Sequence, residues 1–316
     1  MNKSLNNTFD FITILGPTAS GKTRLAVELA QKLNGEIISA DSRQVYTDMD
    51  IGTGKDLNEY NFNGQHIPYH LIDIIDPMKE YNVAQFQNDF HDVFNDINNR
   101  KSLPILCGGT GFYIKTILMN YQFPNFGPDK DLRQELNNYS KEELITKLDM
   151  ISPGKSDKVI TDTKRRIIRA IEIEKSKQKG QGNKKKNLRK EITSLVIGIE
   201  FPREIIRKRI TQRLNDRLEM GMIDEVLKLI KNGVTHARLH SLGLEYKYIS
   251  QYILGEFSKE EMIKSLNTAI HQFAKKQMTF FRNMERSGIK IYWLSEGNIY
   301  NNHEILMNMK FFQGFI

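Results

Sequence analysis

The sequence predicts an α/β fold: a parallel sheet flanked by helices, with a small helical insertion domain. Three observations predict it. An apolar run, Phe11 to Leu15, leads through Gly16-Pro-Thr-Ala-Ser-Gly-Lys-Thr23 into a helical pattern that places Leu25, Ala26, Leu29, Ala30 and Leu33 together. Strand-like and helix-like runs then alternate to about residue 120. Between residues 121 and 191 the pattern changes to helices and a basic run, after which a buried strand resumes.

The elements follow in order. Gly35 to Ala40 reads as a second strand ending at Asp41, and His66 to Ile75 holds a third short apolar run. Val83 to Asn98 is an amphipathic helix with Phe86, Phe90, Val93, Phe94 and Ile97 on one face. Leu103 to Cys107 is a further strand, closed by Gly108-Gly-Thr-Gly111, and Phe112 to Leu118 begins another helix. Such units imply a parallel sheet that binds ligands at the carboxyl ends of its strands. The Gly16–Thr23 loop, Asp41 and Thr110 should therefore converge. Pro124, Gly127 and Pro128 break regular structure, and two helical patterns follow, Lys130 to Met150 and Asp157 to Lys177. Lys175 to Lys190 is strongly basic and poor in apolar residues, the composition of a mobile loop. Ile192 to Glu200 returns to the sheet, Arg203 to Asn232 and Lys259 to Arg286 are helical, and Lys290 to Leu294 is a last strand. Residues 1–120 with 192–316 thus form the core, and residues 121–191 the insertion.

The 316 residues carry a net charge of +8, and the basic balance suggests a polyanionic partner, nucleic acid first. No apolar stretch approaches the ~20 residues that span a membrane, and Met1 to Asp10 lacks the plan of a signal peptide, so a cytoplasmic location is expected. The single cysteine, Cys107, excludes an intramolecular disulfide and reads as a core thiol. The seven histidines show no metal-ligand spacing.

Chemistry concentrates at residues 16–23. Strand, Gly-x-x-x-x-Gly-Lys-Thr, helix is the context of a phosphate-binding loop, which makes the expected fold P-loop NTPase-like. Gly16 and Gly21 let the backbone turn its N–H groups toward anionic oxygens, and the helix N-terminus adds its positive end. Lys22 places a charge on terminal phosphates, and the Thr23 hydroxyl can hold Mg²⁺. Asp41 could serve Mg²⁺ or take a proton from a nucleophile; it could equally cap a helix. The glycine-rich turn at Gly108–Gly111 could bring backbone close to a ligand. No mechanism follows from Met49-Asp-Ile-Gly-Thr-Gly-Lys55. Lys164, Arg165, Arg166 and Arg169 crowd one helix, with Ile167, Ile168 and Ile171 expected to pack inward; this density favours phosphate contact over a solvated face. Arg203, Arg207, Arg209, Arg213 and Arg217 continue the theme on the next long helix.

These residues resemble the tRNA dimethylallyltransferases, also called tRNA isopentenyltransferases. The resemblance rests on Gly16–Thr23, Asp41-Ser-Arg-Gln-Val-Tyr46, Met49–Lys55, His70-Leu-Ile-Asp73, Tyr81-Asn-Val-Ala-Gln-Phe86, Gly108-Gly-Thr-Gly-Phe-Tyr113, Arg165-Arg-Ile-Ile-Arg-Ala-Ile-Glu172 and Ala274-Lys-Lys-Gln-Met-Thr-Phe-Phe-Arg282, in the family's order. It covers roughly residues 10–294. It implies transfer of a dimethylallyl group from dimethylallyl diphosphate to N6 of the adenosine 3′ of the tRNA anticodon. The implied catalytic residues are Asp41, as general base, with Thr18 and Arg213; Arg209 rivals Arg213. The implied diphosphate loop is Gly16, Pro17, Thr18, Ala19, Ser20, Gly21, Lys22 and Thr23, with Mg²⁺ as cofactor on Thr23. The implied tRNA contacts are Asp41, Ser42, Arg43, Gln44, Thr110, Arg165, Arg166, Ile167, Ile168 and Arg169, and the segment His240, Ser241, Leu242, Gly243, Leu244, Glu245. A monomer without membrane association is expected. Ser241–Lys247 and His271-Gln272 depart from the common family pattern and bear on the choice of tRNA.

Two rival readings remain on the residues alone. A small-molecule kinase or ATPase would use the same loop, with Asp73 as a second metal ligand. A non-catalytic RNA-binding protein would keep the loop as a relic.

Overall fold

The computed structural model describes residues 9–124, 127–179 and 191–296. In chain order the elements are β1 (Phe11–Leu15), α1 (Lys22–Lys32), β2 (Gly35–Ser39), β3 (Asn61–Phe62), β4 (Gln65–His66), β5 (Tyr69–His70), α2 (Val83–Asn99), β6 (Leu103–Gly108), α3 (Gly111–Leu118), α4 (Lys130–Leu136), α5 (Lys141–Ile151), α6 (Lys164–Gln178), β7 (Ser194–Glu200), α7 (Arg203–Glu219), α8 (Met222–Lys231), α9 (His236–Leu242), α10 (Leu244–Ile253), α11 (Lys259–Arg286) and β8 (Tyr292–Ser295). The chain divides into two compact units, residues 1–120 with 191–316, and residues 121–190.

The first unit is built on a six-stranded sheet of order β5-β2-β6-β1-β7-β8. Every pairing in it is parallel, with Ile12 opposite Ile105 on one side and Leu195 on the other. β1 is therefore covered on both edges and both faces, and all five of its residues are buried. That is why it reads as a continuous apolar run rather than an alternation. Its side chains still alternate between faces. Ile12 and Ile14 join Leu25, Ala26 and Leu29 of α1 in one core cluster. Phe11 and Leu15 join Phe86, Phe90 and Phe94 of α2 and Phe281 of α11 in another. Helices α7–α11 enclose a third cluster around Met222, Val226, Tyr246 and Leu266. Among the described residues no helix is long and apolar enough to cross a membrane.

Several boundaries differ from the sequence pattern. The run His66–Ile75 yields the end of β4, the two-residue β5 and an isolated bridge from Ile75 to Tyr46. The span 203–232 breaks into α7 and α8 where Gly221 adopts φ 95°, a left-handed value that an L side chain resists. In the second unit the pattern 130–150 splits into α4 and α5, because Ser140 opens a new helix through a capping box with Glu143. Here Leu144, Leu148, Ile167, Ile168 and Ile171 form the core. Part of the basic run, residues 180–190, lies outside the described residues.

Candidate active site at the strand ends

Gly21 ends the loop after β1 in the left-handed region, φ 80°, and serves as N-cap of α1. Ala19 also has positive φ, 62°, so the loop curls tightly ahead of the helix. Lys22 folds back over it, its Nζ donating to the Pro17 carbonyl at 2.7 Å. Burial, helped by the nearby Arg213 and opposed by Cys107 and Asp41, brings this ammonium down to about 8. Ser20 is buried, and its Oγ finds no hydrogen-bond partner among the described residues. An orphaned donor under a loop of this shape suits an anion.

At the end of β2, Asp41 caps no helix. Residues 42–45 form turns, and Asp41 Oδ1 accepts from the Arg43 N–H at 2.8 Å. This Asx-type bond fixes one oxygen of the carboxylate. Ser42 N–H donates to Thr110 Oγ1 at 3.0 Å, which joins the ends of β2 and β6. Gln44 accepts from the Ser39 hydroxyl at 3.0 Å and donates to the Gly54 carbonyl at 3.1 Å.

The loop at residues 49–56 acquires a role that its sequence did not reveal. Glu225 of α8 accepts the N–H groups of Asp50, Ile51 and Gly52 at 2.8, 2.7 and 3.0 Å, and the Tyr246 hydroxyl at 2.7 Å. The Lys55 side chain, wholly buried, pairs with Asp50 and Asp73 and donates to the Tyr46 carbonyl. Asp73, the metal ligand that a kinase would need, is thereby taken up by Lys55. Thus held, Gly54 lies against α7: a Cβ there would fall 1.6 Å from Arg217 Nη2 and 2.3 Å from Arg213 Nη2.

Those two arginines reach the phosphate loop. With Thr18, Ala19 and Glu245 they line a small cavity. Arg213 pairs with Asp56 at 3.1 Å. Arg217 Nη2 is buried without a hydrogen-bond partner among the described residues, and burial with the Arg213 charge draws this guanidinium down to about 10. Burial pushes the Glu245 carboxyl up. Arg209 lies elsewhere, exposed and stacked 4.1 Å from the Phe201 ring centroid. Of the two rivals, Arg213 is the one beside Thr18. Arg217, named in the sequence only as one of the basic series on this helix, stands there too.

The second glycine turn is shaped by protein contacts. A Cβ at Gly108 would lie 2.3 Å from the Ala40 carbonyl oxygen, at Gly109 2.5 Å from Gln277 Nε2, and at Gly111 2.4 Å from the Phe280 ring. The room that these glycines leave is taken by α11 and by Ala40, just past β2.

The chain matches the family described as IPP transferase over residues 44–284, and that described as isopentenyl transferase over residues 9–67. It is 51% identical over 289 residues to tRNA dimethylallyltransferase 1 of Parabacteroides distasonis, covering 91% of this chain and 92% of that one. It belongs to the tRNA dimethylallyltransferase family. A second relative, tRNA dimethylallyltransferase 1 of Azobacteroides pseudotrichonymphae, is 48% identical over 96% of this chain and 98% of its own. The crystal structure of the tRNA isopentenylpyrophosphate transferase of Bacillus halodurans aligns with a TM-score of 0.67 at 32% identity, over 98% of this chain and 97% of that one.

The segments that the dimethylallyltransferase resemblance assigns to tRNA differ in accessibility. On α6, Arg165 is exposed, Arg166 pairs with Asp162 at 2.6 Å, and Arg169 bonds Glu172 at 3.0 Å. Ile167 and Ile168 are buried in the core of the second unit, so their side chains are corrected from RNA contacts to packing. In the other segment His240 and Ser241 are exposed, whereas Leu242 is wholly buried and is corrected likewise. Gly243 separates α9 from α10 and serves as N-cap of α10. Leu244 packs partly buried against the helical core. Glu245 points to the phosphate-loop cavity rather than outward.

Proposed function

We propose that this enzyme transfers a dimethylallyl group from dimethylallyl diphosphate to N6 of the adenosine next to the tRNA anticodon on its 3′ side, giving N6-isopentenyladenosine. The observation that carries the reading is the meeting of an anion-binding loop, a cationic pair and an oriented carboxylate at one end of the sheet, in a chain of this family. The loop N–H groups, Lys22, Arg213 and Arg217 receive the diphosphate. The C1–O bond of the dimethylallyl group breaks and a C1–N6 bond forms. Charge developing on the leaving oxygen is met by preplaced donors in a partly water-free site. The exocyclic amine is a weak nucleophile, so the Asp41 carboxylate takes the N6 proton. The target adenine must leave its stack to reach this site.

Mg²⁺ fits the residues present. Thr23 stands half-exposed in the first turn of α1, and no group of three His, Cys, Asp or Glu suited to a metal occurs among the described residues. An ion that keeps its waters would be held by Thr23 and diphosphate oxygens. Held by Thr23, such an ion would supply charge neutralisation on the leaving group.

Within the second unit the exposed Arg165 supports a phosphate contact with tRNA; within the first, the exposed His240 and Ser241 are separate polar candidates. A soluble cytoplasmic monomer accords with this role. The kinase reading loses support because Asp73 is engaged by Lys55.

The test is transfer of label from dimethylallyl diphosphate to an unmodified tRNA in Mg²⁺ buffer. A parallel tRNA carries guanosine in place of the target adenosine. Label that requires the adenosine is the expected result; phosphoryl transfer from ATP instead would sink the proposal.

A further inference from the structure

A single amide links the leaving-group side of the site to the carboxylate side. Gln277 of α11 is buried, 8% exposed, under the strand ends. Its Oε1 accepts the Thr18 N–H at 2.9 Å, and its Nε2 donates to the Gly109 carbonyl at 2.9 Å. Both bonds run to backbone, so the amide fixes main-chain position in two loops that are far apart in sequence. The next residue, Thr110, accepts the Ser42 N–H through Oγ1. Ser42 follows Asp41, whose carboxylate is held by Arg43 N–H. The path from the phosphate loop to Asp41 is thus unbroken: Thr18, Gln277, Gly109, Thr110, Ser42, Asp41. The fit leaves no slack, since any side chain at Gly109 would collide with the amide.

We infer that Gln277 is a positioning residue, which sets the distance between the diphosphate and the Asp41 base. The inference rests on the transfer reading above. In-line displacement needs C1 of the allyl group and N6 near contact distance with the proton acceptor behind N6, and an error of about 1 Å can cost on the order of a hundredfold in rate. The amide suits this task because it offers one acceptor and one donor, and the two loops present one donor and one acceptor. Neither a carboxylate nor an aliphatic side chain of that length matches both.

The experiment uses the full chain with Gln277→Met, which keeps length but loses both bonds. Gln277→Glu is the second variant; it keeps the acceptor for Thr18 N–H and sets an oxygen against the Gly109 carbonyl. Steady-state transfer to tRNA, calorimetric binding of inorganic pyrophosphate and thermal unfolding are read on each, on Thr110→Val alone, and on the double variant of Gln277→Met with Thr110→Val. The expected result for Gln277→Met is a kcat lower by about ten- to a hundredfold with the tRNA KM within about twofold. Pyrophosphate should bind several-fold more weakly. The double variant should be no slower than Gln277→Met alone, because both changes cut one path. Gln277→Glu should lose kcat while binding pyrophosphate better than Gln277→Met does. Unchanged kcat, or losses that multiply in the double variant, would overturn the coupling. If the wild type transfers nothing to any tRNA, yet Gln277→Met still weakens pyrophosphate, the transfer reading fails and the link to the phosphate loop stands.

Discussion

In the proposed reaction Asp41 and Lys22 have opposite tasks, and their chemistry can be separated. Asp41→Asn keeps the turn, because an amide oxygen still accepts from Arg43 N–H, but it removes the proton acceptor. Single-turnover transfer should slow by about 10²–10⁴-fold with tRNA affinity retained. Equal rates would remove Asp41 from the mechanism. Lys22 yields a pH signature. Its ammonium is depressed to about 8 in the free protein, so the charged form that binds an anion is complete below that value and is lost above it. A bound diphosphate raises the same group, so binding takes up a proton. The affinity for a non-reacting alkyl diphosphate should therefore decline as pH rises through about 8, and Lys22→Arg should shift the inflection above the measured range. Both were candidates in the sequence because their signal is local: a loop of fixed spacing, and a carboxylate where a strand ends, the latter equally readable there as a helix cap. Gln277, Glu225 and Lys55 were not. Gln277 and Glu225 take their meaning from Gly109 and Asp50, 168 and 175 residues away, whereas Lys55 sits in an irregular loop with no periodic signal and partners 5 to 18 residues away. Arg213 and Arg209 could not be ranked because the spacing of four shows only that they share a helix face; their surroundings decide.

Loops and helices set the next level. The 49–56 loop lies against Arg213 and Arg217 only because residue 54 is glycine with φ 65°. Gly54→Ala would push both guanidinium groups from the phosphate loop. Pyrophosphate affinity should fall by about tenfold or more, the worth of one charge-assisted contact, with little change in tRNA binding. In the second unit, Glu172 is buried yet accepts from Arg133 twice, from Arg169 and from the Asp129 N–H. Burial alone would push this carboxyl up, but the two arginines and the N–H outweigh it and hold it below the usual range. A lowered carboxylate stabilises above its unfolded value, about pH 4.3, and the gain is lost as pH falls through the folded value. Glu172→Gln should cost about 2–3 kcal/mol in urea unfolding near neutral pH, and the difference from wild type should vanish in acid. The long helices and central strands were readable because apolar spacing is sustained. The breaks at Gly221 and Ser140, and helices α9 and α10, were obscured because their boundaries are set by one turn residue or one cap.

For the whole molecule, a charge of +8 must act on tRNA more than on the small diphosphate. The apparent tRNA affinity should fall steeply with salt, by a slope of about −0.7 to −0.9 per phosphate engaged, and equally for tRNAs that lack the target adenosine. A flat salt response would show that the basic surface does not grip the phosphate backbone. The parallel-sheet architecture was legible from alternating strand and helix signals, but the strand order was not, since nothing local announces that β1 pairs with β7. That pairing has a consequence for synthesis on the ribosome. Thr13 and Ser194 hydroxyls meet at 2.7 Å across 181 residues of chain. After β6 emerges, roughly 90 further residues must be translated before β7 can close the other edge of β1, which takes roughly 5–18 s at about 5–20 residues per second. For that interval the nascent chain carries its most apolar strand with one side open. Slow translation or a heat pulse during those seconds should recruit chaperones or seed aggregates far more readily than the same stress applied to the finished enzyme.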